Sequence, residues 1–153
     1  MTTPADDRAP ERLRTTPSWL LTRLSDHAAH LARDAFAAAG AGRYHYALLV
    51  ALEEGGPASQ AALGRRCGID RSDVVAALNE LVERGHAERR PDPTDRRRNV
   101  VTVTPAGREQ ARRTGKALDE VQDRLLAPLA SEDRDRFADL LTRLLRHHAP
   151  GRL

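Results

Sequence analysis

Cysteine, aromatic residues and lysine are scarce in this chain of 153 residues, and each scarcity narrows the possible structures. Cys67 is the only cysteine, so the chain forms no internal disulfide and no zinc site built on paired cysteines. Only 3% of the residues are aromatic, so the core must consist mostly of leucine, valine and alanine. That composition suits packed helices better than a β-sandwich. Lys116 is the only lysine, so arginine carries almost all of the positive charge.

Long apolar segments and catalytic signatures are also missing. No apolar run approaches the roughly 20 residues that a membrane span needs, and the first residues lack the apolar stretch of a secretion signal. We therefore expect a cytoplasmic protein with no membrane partner. The sequence has no glycine-rich phosphate loop, no nucleophile signature and no set of ligands at metal-binding spacing. We expect a protein that is not an enzyme and that carries neither a metal nor a cofactor.

Positive charge is concentrated in one short window, residues 89–98. This window holds five arginines and two aspartates, so its formal charge equals the +3 of the whole chain. Because arginine dominates the whole composition, its number alone is weak evidence. Its clustering beside the turn-forming residues 91–95 is stronger evidence, since like charges this close repel one another unless a polyanion or nearby acids offset them. Residues 86–90 and the valine-rich residues 100–103 are predicted to be the two strands of this basic hairpin.

Two short helices precede the hairpin directly. Ser59 is predicted to cap a helix that ends at Cys67, Gly68 supplies a turn, and Asp70 is predicted to cap a second helix that ends before Gly85. Apolar residues recur along one side of the second helix at helical spacing. Its opposite side is small or polar and consists of Arg71, Ser72, Asp73, Ala76 and Asn79. A helix with such a surface can enter the major groove of DNA.

Longer helical patterns flank this central region. The periodicity predicts them over residues 19–39, 43–54, 105–126 and 131–148. Ser18 is predicted to cap the first of them, and Thr104 followed by Pro105 is predicted to open the third. Residues 1–17 contain three prolines and no periodicity, so we expect a flexible arm there. The leucine stripe of the last helix can either pack within the chain or pair with a second copy.

A specific motif runs through the hairpin into the helix that follows it. It consists of Gly85, Arg90, Asp92, Asp95, Arg97, Val103, Thr104 and Gly107. With this motif and this order of elements, residues 18–148 resemble a MarR-type winged-helix transcriptional regulator. The resemblance implies a mostly α-helical domain with a small β-hairpin. In that domain, a winged helix-turn-helix at about 43–104 is flanked by dimerisation helices at about 18–39 and 105–148.

The resemblance also implies contacts with double-stranded DNA. It assigns Arg97 to the tip of the wing, braced by Asp95, and it assigns Arg96 and Arg98 to phosphate contacts. A guanidinium on a two-stranded loop can enter a narrow minor groove, although Asp95 and Arg97 could equally serve only to close the hairpin. On the two short helices, the implied contacts are Arg65, Arg71, Ser72, Asp73 and Ala76. A plain solvated surface is the alternative for these helix residues.

A ligand site is implied less directly. Residues that would line the family's effector pocket are Trp19, His27, His30, Tyr44, His45 and Tyr46. An imidazole or phenol among them could pair with an anionic or aromatic ligand, but packing is the alternative role for each. Cys67 is predicted to face inward as an inert thiol, whereas a redox-sensing role would require an exposed sulfur.

The function that follows is that of a sequence-specific transcriptional regulator. By resemblance, we expect a homodimeric repressor that binds a palindromic operator and is released by a small ligand. Two alternatives stay open, a ligand-independent DNA-binding protein and a winged-helix module that binds another protein. The salt dependence of binding separates DNA from protein partners, because phosphate contacts release counterions.

Overall fold

Residues 8–151 are described by the computed structural model, and they form seven helices and one two-stranded antiparallel sheet. The elements in chain order are α1 (Glu11–Arg14), α2 (Pro17–Ala38), α3 (His45–Gly55), α4 (Gln60–Cys67), α5 (Arg71–Glu83), β1 (Ala87–Pro91), β2 (Asn99–Val103), α6 (Pro105–Leu125) and α7 (Ser131–His148). The predicted fold class, a mostly helical chain with a small β-hairpin, is confirmed. None of the helices within these residues is both long and apolar enough to span a membrane.

The core is aliphatic, as the low aromatic content predicts. Helix α3 lies at its centre and contributes Leu48, Leu49 and Leu52, which are almost completely buried. Side chains from the helix-turn-helix and the sheet close around it, namely Leu63, Val74, Leu78, Leu81 and Val101. Burying a leucine or valine side chain contributes roughly 1.5–3 kcal/mol, so this cluster supplies much of the stability of the central region.

The helix-turn-helix forms where the sequence predicts it. The Ser59 hydroxyl accepts a hydrogen bond of 3.2 Å from the amide of Ala62 at the start of α4. Gly68 ends α4 in the left-handed region, with φ of 63°, which glycine adopts at little cost. Asp70 occupies the N-cap position of α5, but its side chain makes no capping hydrogen bond, so the predicted cap is wrong in that respect.

The wing is a short hairpin anchored on the core. Strands β1 and β2 pair in antiparallel register, with Ala87 opposite Val103 and Arg89 opposite Val101. Ala58 adds a one-residue bridge, exchanging two backbone hydrogen bonds of 2.8 and 3.1 Å with Val101. The base of the wing is therefore continuous with the segment that leads into α4, and its position relative to the helix-turn-helix is fixed.

The start of α6 packs closely against the base of the wing. The Thr104 hydroxyl accepts a hydrogen bond of 3.0 Å from the Gly107 amide and donates one of 2.6 Å to the carbonyl of Gly85. A Cβ atom at Gly107 would lie 2.0 Å from the carbonyl oxygen of His86. Only glycine fits this approach, which gives a physical reason for the spacing of Gly85, Thr104 and Gly107 in the sequence motif.

The N-terminal region differs from its prediction. The expected flexible arm covers residues 1–17, of which residues 1–7 lie outside the described part of the chain. Glu11–Arg14 form a helical turn, and the Thr16 hydroxyl donates a hydrogen bond of 2.7 Å to the carbonyl of Arg12. Helix α2 begins at Pro17 with Thr16 as its N-cap residue, rather than after Ser18. Proline is favoured at a first helical position because its φ is already helical and it has no amide hydrogen to satisfy.

We expect Gly107→Ala to lower the free energy of unfolding by about 2 kcal/mol or more, because the added methyl group must displace backbone. Gly40→Ala is the matched control, since Gly40 has a φ of +70° after the end of α2 but open space around its Cβ position. That variant should lose only the cost of a left-handed backbone with a side chain, about 1 kcal/mol. Urea unfolding of both variants measures the difference, and equal losses would contradict the steric argument.

Candidate nucleic-acid interface

The outward side of α5 carries the residues predicted to meet DNA. Arg71, Ser72 and Ala76 are exposed and Asp73 is half-buried, whereas Val74 and Leu78 face the core. Ala77, next to the exposed Ala76, is buried in the core cluster. The exposed strip of α5 is thus narrow and lies mostly in its first two turns.

A cationic cleft adjoins this strip. It has a volume of about 1060 Å³ and lies between α4, the turn after it, the start of α5 and the base of the wing. Its lining includes the arginines Arg65, Arg66, Arg71, Arg89 and Arg98, and the only acid in it is Asp70. Guanidinium groups that converge from separate elements create a local positive potential far larger than the net charge of the chain indicates.

The turn of the wing is closed by Asp92. Its Oδ1 accepts hydrogen bonds from the Thr94 amide at 2.8 Å and from the Thr94 hydroxyl at 2.7 Å. These bonds hold the pKa of Asp92 below its usual range. The Asp92 amide in turn donates a hydrogen bond of 2.8 Å to the carbonyl of Arg98. Asp92 is therefore occupied within the loop and keeps it folded.

Asp95 holds the wing-tip arginine. Its Oδ1 accepts hydrogen bonds of 3.1 Å from both the amide and the Nε of Arg97, and Oδ2 lies 3.7 Å from the Nε of Arg98. The side chain of Arg97 is 91% exposed, so it projects from the loop while the carboxylate restrains its base. Arg96, also exposed, has no acidic partner among residues 8–151. This geometry fits the predicted brace, and the contact of Arg97 with DNA stays a prediction.

Arg89 is a further interface residue that the sequence reasoning missed. Its guanidinium donates hydrogen bonds of 2.6 Å to Asn79 of α5 and 3.1 Å to Gln60 of α4. It therefore ties the first wing strand to both helices of the helix-turn-helix. Strand alternation could have indicated this position, because Arg89 follows the buried Ala87 by two residues and shares its side of the sheet.

The predicted ligand residues do not converge in the single chain. His27 and His30 are exposed on α2, and Trp19 is half-buried near the start of that helix. Tyr44 is half-buried against the core, with the Arg43 guanidinium 4.9 Å from its ring centroid. Of these residues, only Tyr46 lines the groove of about 800 Å³ between α3 and α6. That groove is lined by three cationic residues, Arg108, Arg112 and Lys116, and by four acids, Glu53, Glu54, Glu109 and Asp119. Arg112 bonds Glu109, and Arg108 lies 4.0 Å from Glu53.

His45 has a different environment from the one that a ligand contact would need. Its side chain is only 2% exposed, Nδ1 accepts a hydrogen bond of 2.9 Å from the Gly42 amide, and Nε2 donates one of 2.9 Å to Glu80. Burial lowers the pKa of His45 below its ordinary value, and the Glu80 carboxylate offsets only part of that effect. Both ring nitrogens are therefore engaged within the protein, and the neutral imidazole is favoured.

Cys67 lies at the end of α4, half-buried against the core. Its Sγ is 3.6 Å from the carbonyl oxygen of Ala47. Burial raises the pKa of the thiol, and the nearby Arg66 opposes this only in part. This environment disfavours the reactive thiolate and fits the predicted inert thiol better than a redox sensor.

Comparison with known proteins gives a consistent result. A family model described as "MarR family" matches residues 41–98. The PcaV transcriptional regulator from Streptomyces coelicolor, solved in complex with its natural ligand, is 31% identical, with a TM-score of 0.70 over 90% of this chain and 96% of PcaV. The repressor CouR from Rhodococcus jostii, solved on a 23-mer DNA duplex, shares the fold, with a TM-score of 0.81 over 92% of this chain and 99% of CouR, at 24% identity.

Curated sequences agree over part of their length. YdgJ, an uncharacterised HTH-type transcriptional regulator of Bacillus subtilis, is 31% identical over 97 residues, which are 63% of this chain and 59% of YdgJ. The chain spans about three-fifths of the length of the two curated relatives with the longest matches.

One buried and one half-buried histidine, His45 and His86, should make the stability depend on pH. Burial lowers the pKa of both His45 and His86, so below about pH 6.5 the unfolded chain takes up protons that the folded chain does not. We expect the free energy of unfolding to fall between about pH 7.5 and pH 5.5, above the range in which carboxylates ordinarily titrate. Denaturant unfolding at both pH values measures the decrease.

His45→Gln should make this decrease smaller, because one of the two shifted groups is removed. His27→Gln, at an exposed position of α2, is the control and should leave the decrease unchanged. An identical decrease in all three proteins would show that His45 does not contribute.

Proposed function

The chain belongs to the MarR family, and on that premise we propose that it is a sequence-specific, DNA-binding transcriptional regulator. In this proposal it acts in the cytoplasm as a homodimeric repressor, has no catalytic role, and binds a palindromic operator. The observation that carries the proposal is the cationic cleft, which opens between an exposed strip of α5 and a wing whose tip arginine projects outward. A recognition helix and a wing so arranged can engage a major groove and the adjacent minor groove together.

The charge distribution supports nucleic acid over a protein partner. The wing acids Asp92 and Asp95 are occupied by hydrogen bonds within the loop, so they do not present an acidic surface of their own. The exposed arginines Arg96, Arg97 and Arg98 therefore dominate the tip. Phosphate contacts by several such groups give affinities that fall steeply with salt, whereas a protein-binding wing would show a shallow dependence.

Release by a small ligand is a second part of the proposal. The groove between α3 and α6 exposes the aromatic ring of Tyr46, which suits an aromatic ligand. Its three cationic side chains are balanced by four carboxylates, so the groove does not select an anion by charge. Within one chain this groove is not lined by Trp19, His27, His30 or Tyr44. PcaV, which resembles this chain over nearly its whole length, was solved with a natural ligand bound.

Dimerisation is supported by apolar surface that the single chain leaves uncovered. Helix α7 has no buried residue along its 18 residues. The large hydrophobic side chains exposed within residues 8–151 all lie on α1, α2 and α7, and they are Leu13, Leu20, Leu21, Leu24, Leu140, Leu144 and Leu145. Exposed apolar stripes on α2 and α7 are typical of association surfaces, and a second copy would bury them while placing two recognition helices for a palindrome.

DNA binding is tested by fluorescence anisotropy with labelled DNA from upstream of the protein's own gene and a scrambled duplex, at about 50 and 200 mM salt. We expect tighter binding to the upstream DNA, weakened by salt. Arg97→Ala should reduce that affinity by about 1–3 kcal/mol while the dimer stays folded. Arg124→Ala, which removes an exposed arginine near the end of α6, is the charge-matched control.

An unchanged affinity in folded Arg97→Ala would contradict the assignment of the wing tip. Equal binding to both duplexes would show that the protein binds DNA without preference for this sequence. No binding at either salt concentration would favour the protein-interaction alternative.

The dimer is tested by placing a charge in the apolar stripe of α7. We expect Leu144→Glu to shift the protein to monomers or aggregates, because the carboxylate would be buried without a partner in the interface. Arg146→Glu changes the charge on the opposite side of the same helix and should remain dimeric. Analytical ultracentrifugation distinguishes the species, and a stable dimer of Leu144→Glu would show that α7 is not part of the interface.

A further inference from the structure

The linker between α2 and α3, residues 39–44, is held by side chains from α3 and α6 and by Arg84, the C-cap residue of α5. The carbonyl of Ala39 accepts a hydrogen bond of 2.9 Å from Gln110 of α6. The carbonyl of Gly40 accepts one of 2.6 Å from Arg84 at the end of α5. The Gly42 amide donates one to Nδ1 of His45 in α3. Three of the six linker residues are thus fixed by side chains that come from outside the linker.

His45 also connects the linker to α5, and we call the set of contacts that Gln110, Arg84, His45 and Glu80 make around the linker the junction. The Nε2 of His45 donates to Oε2 of Glu80 at 2.9 Å, so the imidazole connects the Gly42 amide to the recognition helix. Glu80 and Arg84 are one helical turn apart and therefore lie on the same side of α5. The recognition helix consequently holds the linker at two points, directly through Arg84 and through His45 from Glu80.

Burial of polar side chains and the placement of two glycines support the hydrogen bonds of the junction. Gln110 is 4% exposed and His45 is 2% exposed, so two of its polar side chains are buried where an unpaired group would be costly. A Cβ atom at Gly42 would lie 2.8 Å from Nε2 of His45, so only glycine leaves room for the ring. Gly40 has a φ of +70°, which lets the chain leave α2 with its carbonyl available to Arg84.

We propose that this junction sets the orientation of the recognition helix α5 relative to α2, with Glu80, Arg84 and His45 as positioning residues for operator binding. The inference rests on the proposed function, because it concerns the regulation of the same interface. Helix α2 carries part of the exposed leucine surface, and α5 carries the exposed strip predicted to meet DNA. A displacement of α2 must therefore strain or break these hydrogen bonds, or turn α5 with it.

The test uses substitutions at exposed members of the junction, so that the core is left intact. Glu80→Ala and Arg84→Ala each remove one link to the linker. Glu80→Gln keeps an acceptor for His45, and Arg84→Lys keeps a donor for the Gly40 carbonyl. Glu83→Ala is the matched control, since it removes an exposed carboxylate from the same turn of α5 without touching the linker. Urea unfolding establishes that each variant is folded.

The orientation of α5 is measured directly, without DNA, by electron spin resonance. Nitroxide labels are placed at Arg33→Cys on α2 and Ala76→Cys on α5 in a Cys67→Ser background. Labelled chains are diluted with unlabelled chains, so that only distances within one chain contribute. Operator affinity is measured by anisotropy on the unlabelled variants.

We expect the distance distribution to broaden or shift in Glu80→Ala and Arg84→Ala and to stay narrow in the Gln, Lys and Glu83→Ala variants. Operator affinity should fall by about 5-fold or more in the two alanine variants, a typical size for a coupling effect. The double variant should lose less than the two single losses combined, because both act on one linker. Unchanged distance distributions in both alanine variants would overturn the inference, whatever the affinities.

Failure of the proposed function is a separate result. If the unsubstituted protein binds no operator, the proposed function fails, while the distance distributions still decide whether the junction orients α5.

Discussion

The close contact between α6 and the base of the wing is the constraint on which the rest of the structure depends. Gly107 lies against the carbonyl of His86, and Thr104 bonds the carbonyl of Gly85, which ends the recognition helix. The end of α5, the first wing strand and the start of α6 therefore meet at one point. Because backbone packs on backbone there, the wing and the recognition helix cannot move independently of α6 without opening the core. The linker between α2 and α3 supplies a second attachment on the other side of α5.

Local charge, rather than net charge, determines what the interface can bind. A formal charge of +3 on 153 residues is small, yet five arginines from α4, α5, β1 and the wing loop line one cleft. The acids of the wing offset this charge only in part, because Asp95 pairs with Arg97 and Arg98 while Asp92 closes the turn. Arg89 adds a structural role to its charge, since it bonds both helices of the helix-turn-helix. Arginine side chains thus supply both the positive potential of the cleft and some of the hydrogen bonds that hold the wing on the helix-turn-helix.

Much of the fold could be predicted from the sequence because its signals are local. Ser59, Gly68, Gly85 and Thr104 mark helix ends through short-range hydrogen bonds or a left-handed backbone, and the structure has helix ends at each of them. Pro17 carries an equally local signal for the start of α2, which the expectation of a flexible arm overlooked.

The missed features of the site depend on contacts between distant residues. His45 bonds Glu80 across 35 positions, and Arg89 bonds Gln60 across 29. Neither partner can be chosen from spacing along the chain. For His45, the family resemblance implied a place in the ligand pocket, whereas burial makes it a link between helices.

The single chain leaves apolar surface uncovered on α2, which adjoins the linker, and on α7. Helix α2 leads into the linker, and α6 begins at the base of the wing. Helix α7 carries an apolar stripe whose leucines Leu140, Leu144 and Leu145 stay exposed within residues 8–151. In the proposed dimer, burial of that stripe would also fix the position of one winged helix-turn-helix relative to the other. The stability of the protein and the spacing of its two recognition helices would then depend on the same interface, so both would be lost when dilution dissociates the dimer. A ligand would need no contact with the recognition helix to change affinity, because a shift of α2 or α6 would already reach α5 through its two attachments.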